Sequence, residues 1–280
     1  GMFNNVDSNG FIHTEYMQCI TATGRLSSRN PNFQNMPRGS TFAIRKAIES
    51  RFEGGSILEG DYAQLEFRVA GYLAKDDNIR LDVEAGTDVH SYTASIIGCS
   101  RQDAKAHTFK PLYGGVSGTD SQQRYYRAFK DKYGGVKEWH KDLQKDAVTK
   151  KEITLPSGRV YAFPDSKWTD WGTATNRTAI CNYPVQGFAT ADLLPIALVK
   201  LYRDMKKAGM KSLICNTVHD SIVIDVYPSE EEQCIDIMAK AMLSLPQETL
   251  RRYGSEYDMP IGIELKMGKN WLDLQPVLEV

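Results

Sequence analysis

The sequence predicts an α+β chain: β-type runs towards its front and back with a mostly helical stretch between them. A short buried run at 56–60 and two apolar β-type runs at 213–218 and 222–226 lie far apart along the 280 residues. The stretch between them is dominated by apolar positions at helical spacing. With 41% hydrophobic residues there is enough for a real core, and 25% charged residues argues against disorder. The length fits one large or two closely packed domains.

The first fifty residues read as polar strands and loops, punctuated by Gly24, Pro31, Pro37 and Gly39, with no helix of useful length. After the strand at 56–60, Leu65, Val69, Tyr72 and Leu73 fall on one helical face, so Asp61 sits where a strand hands over to a helix. Ser100 with Asp103 resembles a capping box that opens a helix reaching Gly114–Gly115, its last turn distorted by Pro111. Phe129 and Tyr133, then Val136, Trp139, Leu143 and Ala147, predict two helices joined at Gly134–Gly135. A small hairpin is expected over 153–162, a long helix from about Ala189 to Ala208, and a final helix around Ile235 to Leu245. His219, Asp220 and Ser221 fall at the tip between the two apolar runs.

The formal net charge of −1 gives no reason by itself to expect a nucleic-acid partner. Its distribution is uneven: from Gly24 to Arg51 six basic residues face Glu49 alone, while from Asp220 to the end twelve acids face five bases. Five cysteines, scattered without a close pair, exclude a zinc knuckle or a redox motif and fit reduced thiols in a cytosol, the expected location. The N-terminal stretch is too polar for a signal peptide or a membrane span.

Asp61 at a strand end and Asp220 at a hairpin tip occupy similar positions. If their strands are neighbours in one antiparallel sheet, both carboxylates point to the same edge and can hold divalent cations. A lone turn aspartate is more often bonded to its own backbone. Around Asp61, however, the run Asp61-Tyr62-Ala63-Gln64-Leu65-Glu66-Phe67-Arg68 resembles motif A of family A DNA polymerases, Asp-Tyr-Ser-Gln-Ile-Glu-Leu-Arg, at five of eight positions. The resemblance continues in family order. Thr23-Gly24-Arg25-Leu26-Ser27-Ser28 and Pro31 to Pro37 look like the primer–template segment. Arg101, Lys105, Phe109, Tyr113 and Gly114 reproduce motif B, and Arg177, Asn182, Pro184, Gln186 and Gly187 are similar to the stretch that touches the duplex. Val218-His219-Asp220 resembles motif C, and Gly268-Lys269-Asn270-Trp271 the C-terminal Gly-x-Asn-Trp.

This resemblance implies an antiparallel-sheet palm, residues 1–75 and 182–280, with helical fingers over 76–181. It implies DNA-directed DNA polymerase activity with primer–template DNA and deoxynucleoside triphosphates as partners. Asp61, Asp220 and the Tyr62 carbonyl would hold two Mg²⁺, with Mn²⁺ as a substitute. Lys105 would neutralise and protonate the leaving pyrophosphate. Arg101, Lys105, Phe109, Tyr113, Gln64 and Glu66 would serve the nucleotide, Glu66 by blocking a 2′-hydroxyl. Arg25, Asn32, Gln34, Gly114, Arg177, Asn182, Gln186 and His219 would contact DNA. Positions 101, 105, 109 and 113 advance by four, which predicts one slowly winding stripe of two cations and two aromatics along a helix.

Three departures stand out. Ser221 replaces the Glu that usually follows His-Asp, so a third carboxylate is missing there; Lys110 and Pro111 replace a Gly and an apolar residue; and one residue is added between Gly187 and Asp192. The thumb and exonuclease of the family are expected to be absent, either through truncation or in a reduced or split polymerase of phage type; in a split polymerase a separate chain would supply them. Other readings are a non-catalytic primer–template-binding fragment and a single-subunit RNA polymerase; Glu66 and Gln64 speak against the latter.

Overall fold

The computed structural model describes residues 2–37 and 40–280; Arg38 and Gly39 of the basic stretch lie outside the described residues. In chain order, β1 (Glu15–Met17) pairs with β2 (Ser27–Arg29), and β3 (Ser56–Tyr62) follows. Then come α1 (Leu65–Ala74), α2 (Asp77–Glu84), α3 (Val89–Ile97), α4 (Arg101–Thr108), α5 (Asp120–Lys132) and α6 (Gly134–Thr149). The hairpin β4 (Glu152–Thr154) and β5 (Val160–Ala162) leads to α7 (Arg177–Gln186) and α8 (Leu194–Lys207). The chain closes with β6 (Leu213–Val218), β7 (Ser221–Val226), α9 (Glu231–Leu243), α10 (Leu245–Tyr253), β8 (Ile263–Gly268) and β9 (Gln275–Glu279). Among the described residues no helix is long and apolar enough to cross a membrane, and all five cysteines are free thiols.

By internal contacts the chain divides into two compact units. The first, Gly1–Ala63, Thr190–Arg252 and Ile261–Val280, is built on a five-stranded sheet in the order β6-β7-β3-β8-β9, with every neighbour antiparallel. Side chains alternate across β3. Leu58, Gly60 and Tyr62 face α9, where the Tyr62 hydroxyl donates to the Met242 carbonyl at 3.0 Å. A Cβ at Gly60 would lie 2.7–2.8 Å from Leu265 Cδ2, Met238 Sδ and Met242 Sδ, so only glycine lets helix and sheet approach this closely. On the opposite face Ile57 and Val223 pack with Phe33, Met36, Val218 and Trp271. Burying each such side chain contributes about 1.5–3 kcal/mol, which holds the segment before β3 on this face.

The second unit, Gln64–Ala189 and Tyr253–Pro260, is mostly helical. Its core is aromatic: Phe67 and Phe129 meet Tyr133 edge-on with ring centroids 5.5 and 4.6 Å apart. Asp76 fixes two helix starts together, capping α2 through Ile79 N–H at 3.0 Å and accepting Val136 N–H of α6 at 3.0 Å.

Several elements depart from the sequence expectation. The segment before β3 carries 3₁₀ turns at Phe33–Asn35 and Ser40–Ala47. Helices α2, α3, α7 and α10 and strands β8 and β9 are additional to those the sequence pattern predicts. The helix expected from Ala189 begins instead as a π-helical stretch, Gly187–Leu193, running on from α7 into α8. Ser221 lies in β7 rather than at the hairpin tip.

Candidate active site

In the first unit β3 is the middle strand, and its register brings the acidic residues to one end of the sheet. Asp61 pairs with Ser221 on one side and with Glu264 on the other. The Tyr62 N–H donates to the Asp220 carbonyl at 3.4 Å, so the residue after Asp61 is bonded to the turn that carries Asp220. That turn is only His219 and Asp220 long, because Val218 already pairs with Ser221. His219 takes φ of +57°, in the left-handed region that a residue with a side chain enters only at a cost. Thr217 Oγ1 donates to the Ser221 carbonyl at 2.9 Å and closes the turn from the strand side.

Asp61 and the turn that carries Asp220 therefore come to the same end of the sheet. Asp61, Asp220 and the Tyr62 carbonyl would offer oxygen donors only, a chemistry that suits a hard cation such as Mg²⁺ and not a thiolate- or imidazole-seeking metal. Among the described residues no three His, Cys, Asp or Glu side chains gather into a ready metal cage.

Three of the residues expected at DNA line one small cavity of about 20 Å³: Arg25, Gln34 and His219, with Thr190 and Thr217. Arg25 Nε donates to Thr190 Oγ1 at 2.9 Å and Gln34 Nε2 to the Thr217 carbonyl at 3.3 Å. Asn32 organises its own turn, where its Oδ1 accepts from Gln34 N–H (3.1 Å), Asn35 N–H (3.2 Å) and Ser28 Oγ (2.9 Å).

In the second unit Gln64, at φ +52°, sets the start of α1, and Glu66 lies in its first turn. The Tyr113 hydroxyl donates to the Glu66 carboxylate. Arg101 opens α4 after the Ser100 cap, and its Nε meets Asp88 Oδ2 at 2.6 Å. The Arg101 guanidinium holds the Asp88 carboxyl well below the usual range, helped by Ser91. Lys105 is exposed on the same helix.

The stripe expected along 101, 105, 109 and 113 is broken. Helix α4 stops at Thr108, Phe109 is its cap, and Tyr113 belongs to a separate 3₁₀ turn, Pro111–Tyr113. Proline at 111 has no N–H to bond the His107 carbonyl, which accepts Lys110 N–H instead at 3.1 Å. Phe109 packs against Phe67 and His90, with centroids 5.8 and 5.5 Å away. Gly114 ends the turn at φ +76°, its Cα against Cys181, where a Cβ would meet the thiol at 3.2 Å.

Arg177, Asn182 and Gln186 share α7. Arg177 Nε and Asn182 Oδ1 are buried with no hydrogen-bond partner among the described residues, a cost of about 1–3 kcal/mol each that a ligand group or water would remove. Lys130 is nearby in charge terms: burial first, then Arg177, pulls its ammonium pKa down.

Sequence reading missed Glu59, Glu264 and Lys266. Register puts Glu59 opposite Lys266 and Asp61 opposite Glu264, all on the same face of the sheet. The available signal was Glu59 standing two residues before Asp61, since a strand returns to the same face at that interval. Ser221 Oγ lies 3.1 Å from both Glu59 Oε1 and the Val218 carbonyl, its one hydrogen shared between two acceptors.

Known proteins resemble this chain over nearly its whole length. It is 30% identical over 297 residues to DNA polymerase I of Lactococcus lactis subsp. lactis (strain IL1403), covering 98% of this chain and 32% of that protein. The thermostable DNA polymerase I of Thermus filiformis is 32% identical over 290 residues, covering 94% and 33%. The solved POL domain of Pol1 from M. smegmatis, in complex with DNA primer-template and dNTP, superposes with a TM-score of 0.80 at 27% identity, covering 98% of this chain and 50% of that one. The chain thus spans about a third of the length of these curated relatives. Residues 2–273 match the family model for DNA polymerase family A, and the chain belongs to that family.

Proposed function

We propose that this chain is the template-directed core of a DNA polymerase, adding deoxynucleotides to a primer 3′-hydroxyl. The observation that carries the reading is the pairing of two carboxylate-bearing strand ends, Asp61 on β3 and Asp220 before β7, in a chain of this family. In this reading the sheet unit is the palm and the helical unit the fingers.

Asp61, Asp220 and the Tyr62 carbonyl are the residues that would hold two Mg²⁺. When bound, these ions would make the primer hydroxyl more acidic and neutralise charge on the triphosphate. Lys105 is exposed and serves as a point charge for the leaving phosphates, and Arg101 as a fork for phosphate oxygens once it releases Asp88. Glu66, steadied by Tyr113, limits room beside the sugar. Arg177, Asn182 and Gln186 bring polar groups suited to minor-groove acceptors that all base pairs share.

The test is primer extension on a defined template with Mg²⁺ and deoxynucleotides. Extension that needs the divalent ion and falls by orders of magnitude in Asp220→Asn supports the reading. Duplex binding without extension in any divalent ion would reject it in favour of a binding fragment.

A further inference from the structure

We propose that Glu59, held by Ser221, is a positioning residue of the cation site at Asp61, supplying from β3 the third carboxylate that β7 lacks at position 221. The proposal rests on the two-metal reading of Asp61 and Asp220. Glu59 and Asp61 project from the same face of one strand, and Ser221 is the register partner of Asp61. Ser221 is fully buried, so its hydroxyl must spend its hydrogen on a protein acceptor. The acceptors within reach are the Val218 carbonyl of its own turn and Glu59 Oε1, each at 3.1 Å. One side chain thus ties the Glu59 carboxylate to the hairpin that carries Asp220. Across the sheet, Lys266, the register partner of Glu59, donates to Glu264 at 2.7 Å.

Two strand residues span about 7 Å. Charges at that separation lie within the Debye length at ordinary salt. Glu59 therefore acts at one remove, through its field and the orientation it shares with Ser221, rather than by joining the coordination sphere. Removing its charge should weaken divalent-cation affinity by about three- to tenfold. Losing the Ser221 hydroxyl keeps the charge and removes only this one tie, so the loss should be smaller.

The experiment titrates Mn²⁺ into the protein alone, without DNA or nucleotide, reading free Mn²⁺ by electron paramagnetic resonance. Glu59→Gln should raise the Kd about three- to tenfold, Ser221→Ala by a smaller factor, and the exchange Glu59→Ser with Ser221→Glu should return it to within about twofold of the unaltered chain. The exchange is decisive, because a merely structural role for Glu59 gives no reason for a carboxylate at 221 to rescue cation binding. It also keeps the question open to test if Glu59→Gln folds poorly. A Glu59→Gln affinity within twofold of the unaltered chain, or an exchange variant that binds no better than Glu59→Gln, overturns the proposal. Asp61→Asn separates the two levels. If it binds Mn²⁺ as the unaltered chain does, the two-metal reading falls and this inference with it; if it loses binding while Glu59→Gln does not, only this inference falls.

Discussion

The Tyr113 hydroxyl donates to the Glu66 carboxylate, joining the 3₁₀ turn after α4 to the first turn of α1. That bond ties down an acid whose proposed role is to leave no room for a 2′-hydroxyl. Glu66→Ala should therefore lower discrimination against ribonucleotides by on the order of ten- to a hundredfold. Tyr113→Phe should lower it less, since the acid remains and only the bond from the Tyr113 hydroxyl is lost. Competition between deoxy- and ribonucleotides on one template reads the ratio, and an unchanged ratio in Glu66→Ala would leave Glu66 as a helix-start acid only.

Arg101 is bound to Asp88 at 2.6 Å, while Asp88 Oδ1 also caps α3 by accepting His90 N–H and Ser91 N–H at 3.1 Å each. Serine at 88 keeps a cap and removes the charge, so Asp88→Ser should cost little stability yet release the guanidinium. If Arg101 grips the triphosphate, KM for nucleotide should fall by about two- to fivefold with kcat nearly constant. Arg101→Ala should raise KM, and in that background Asp88→Ser should have no further effect on it.

Legibility in the sequence followed from how local each signal is. The β6–β7 hairpin and the junction at Asp61 could be read because apolar runs and a turn lie next to each other in the chain. Helices α2 and α3 are announced only by their caps, Asp76 and Asp88, since both are short and half-exposed and carry a weak periodic pattern. Strand β8 was legible in the alternation of Ile263, Leu265 and Met267 with Glu264 and Lys266 and was passed over, whereas β9 is mostly exposed and carries no such pattern. Motif B reads as one continuous helix by spacing, and the single missing N–H of Pro111 divides it. Glu59 escaped because its meaning depends on Ser221, 162 residues away, a relationship that only sheet register creates.

The close approach of α9 to β3 at Gly60 gives a stability test. In Gly60→Ala the new methyl meets Met238, Met242 and Leu265 side-chain ends that can partly move, so the cost should be about 1–2 kcal/mol, and in Gly60→Val about 3 kcal/mol. Shortening Met242 in the Gly60→Ala background should recover part of that loss, giving a favourable coupling in a double-mutant cycle measured by urea unfolding. Strict additivity would mean that the crowding lies elsewhere.

His140 makes the helical unit sensitive to acid. Its Nε2–H donates to the Leu112 carbonyl at 3.0 Å, inside the turn that follows α4, and the residue is 3% exposed. Burial pushes its pKa down to about 4, whereas in the unfolded chain the ring takes up a proton near pH 6.5. Between those values the unfolded state holds more protons, so stability must fall as the pH drops from about 6.5 towards 4, and the loss levels off below that at about 3 kcal/mol. Above pH 7 the ring is neutral in both states and contributes no slope. His140→Gln retains a donor for the Leu112 carbonyl but cannot be protonated, so its unfolding free energy in urea should change by about 2 kcal/mol less than that of the unaltered chain between pH 7 and 4.5. Equal acid sensitivity in the two proteins would show that the buried ring is not the group that titrates.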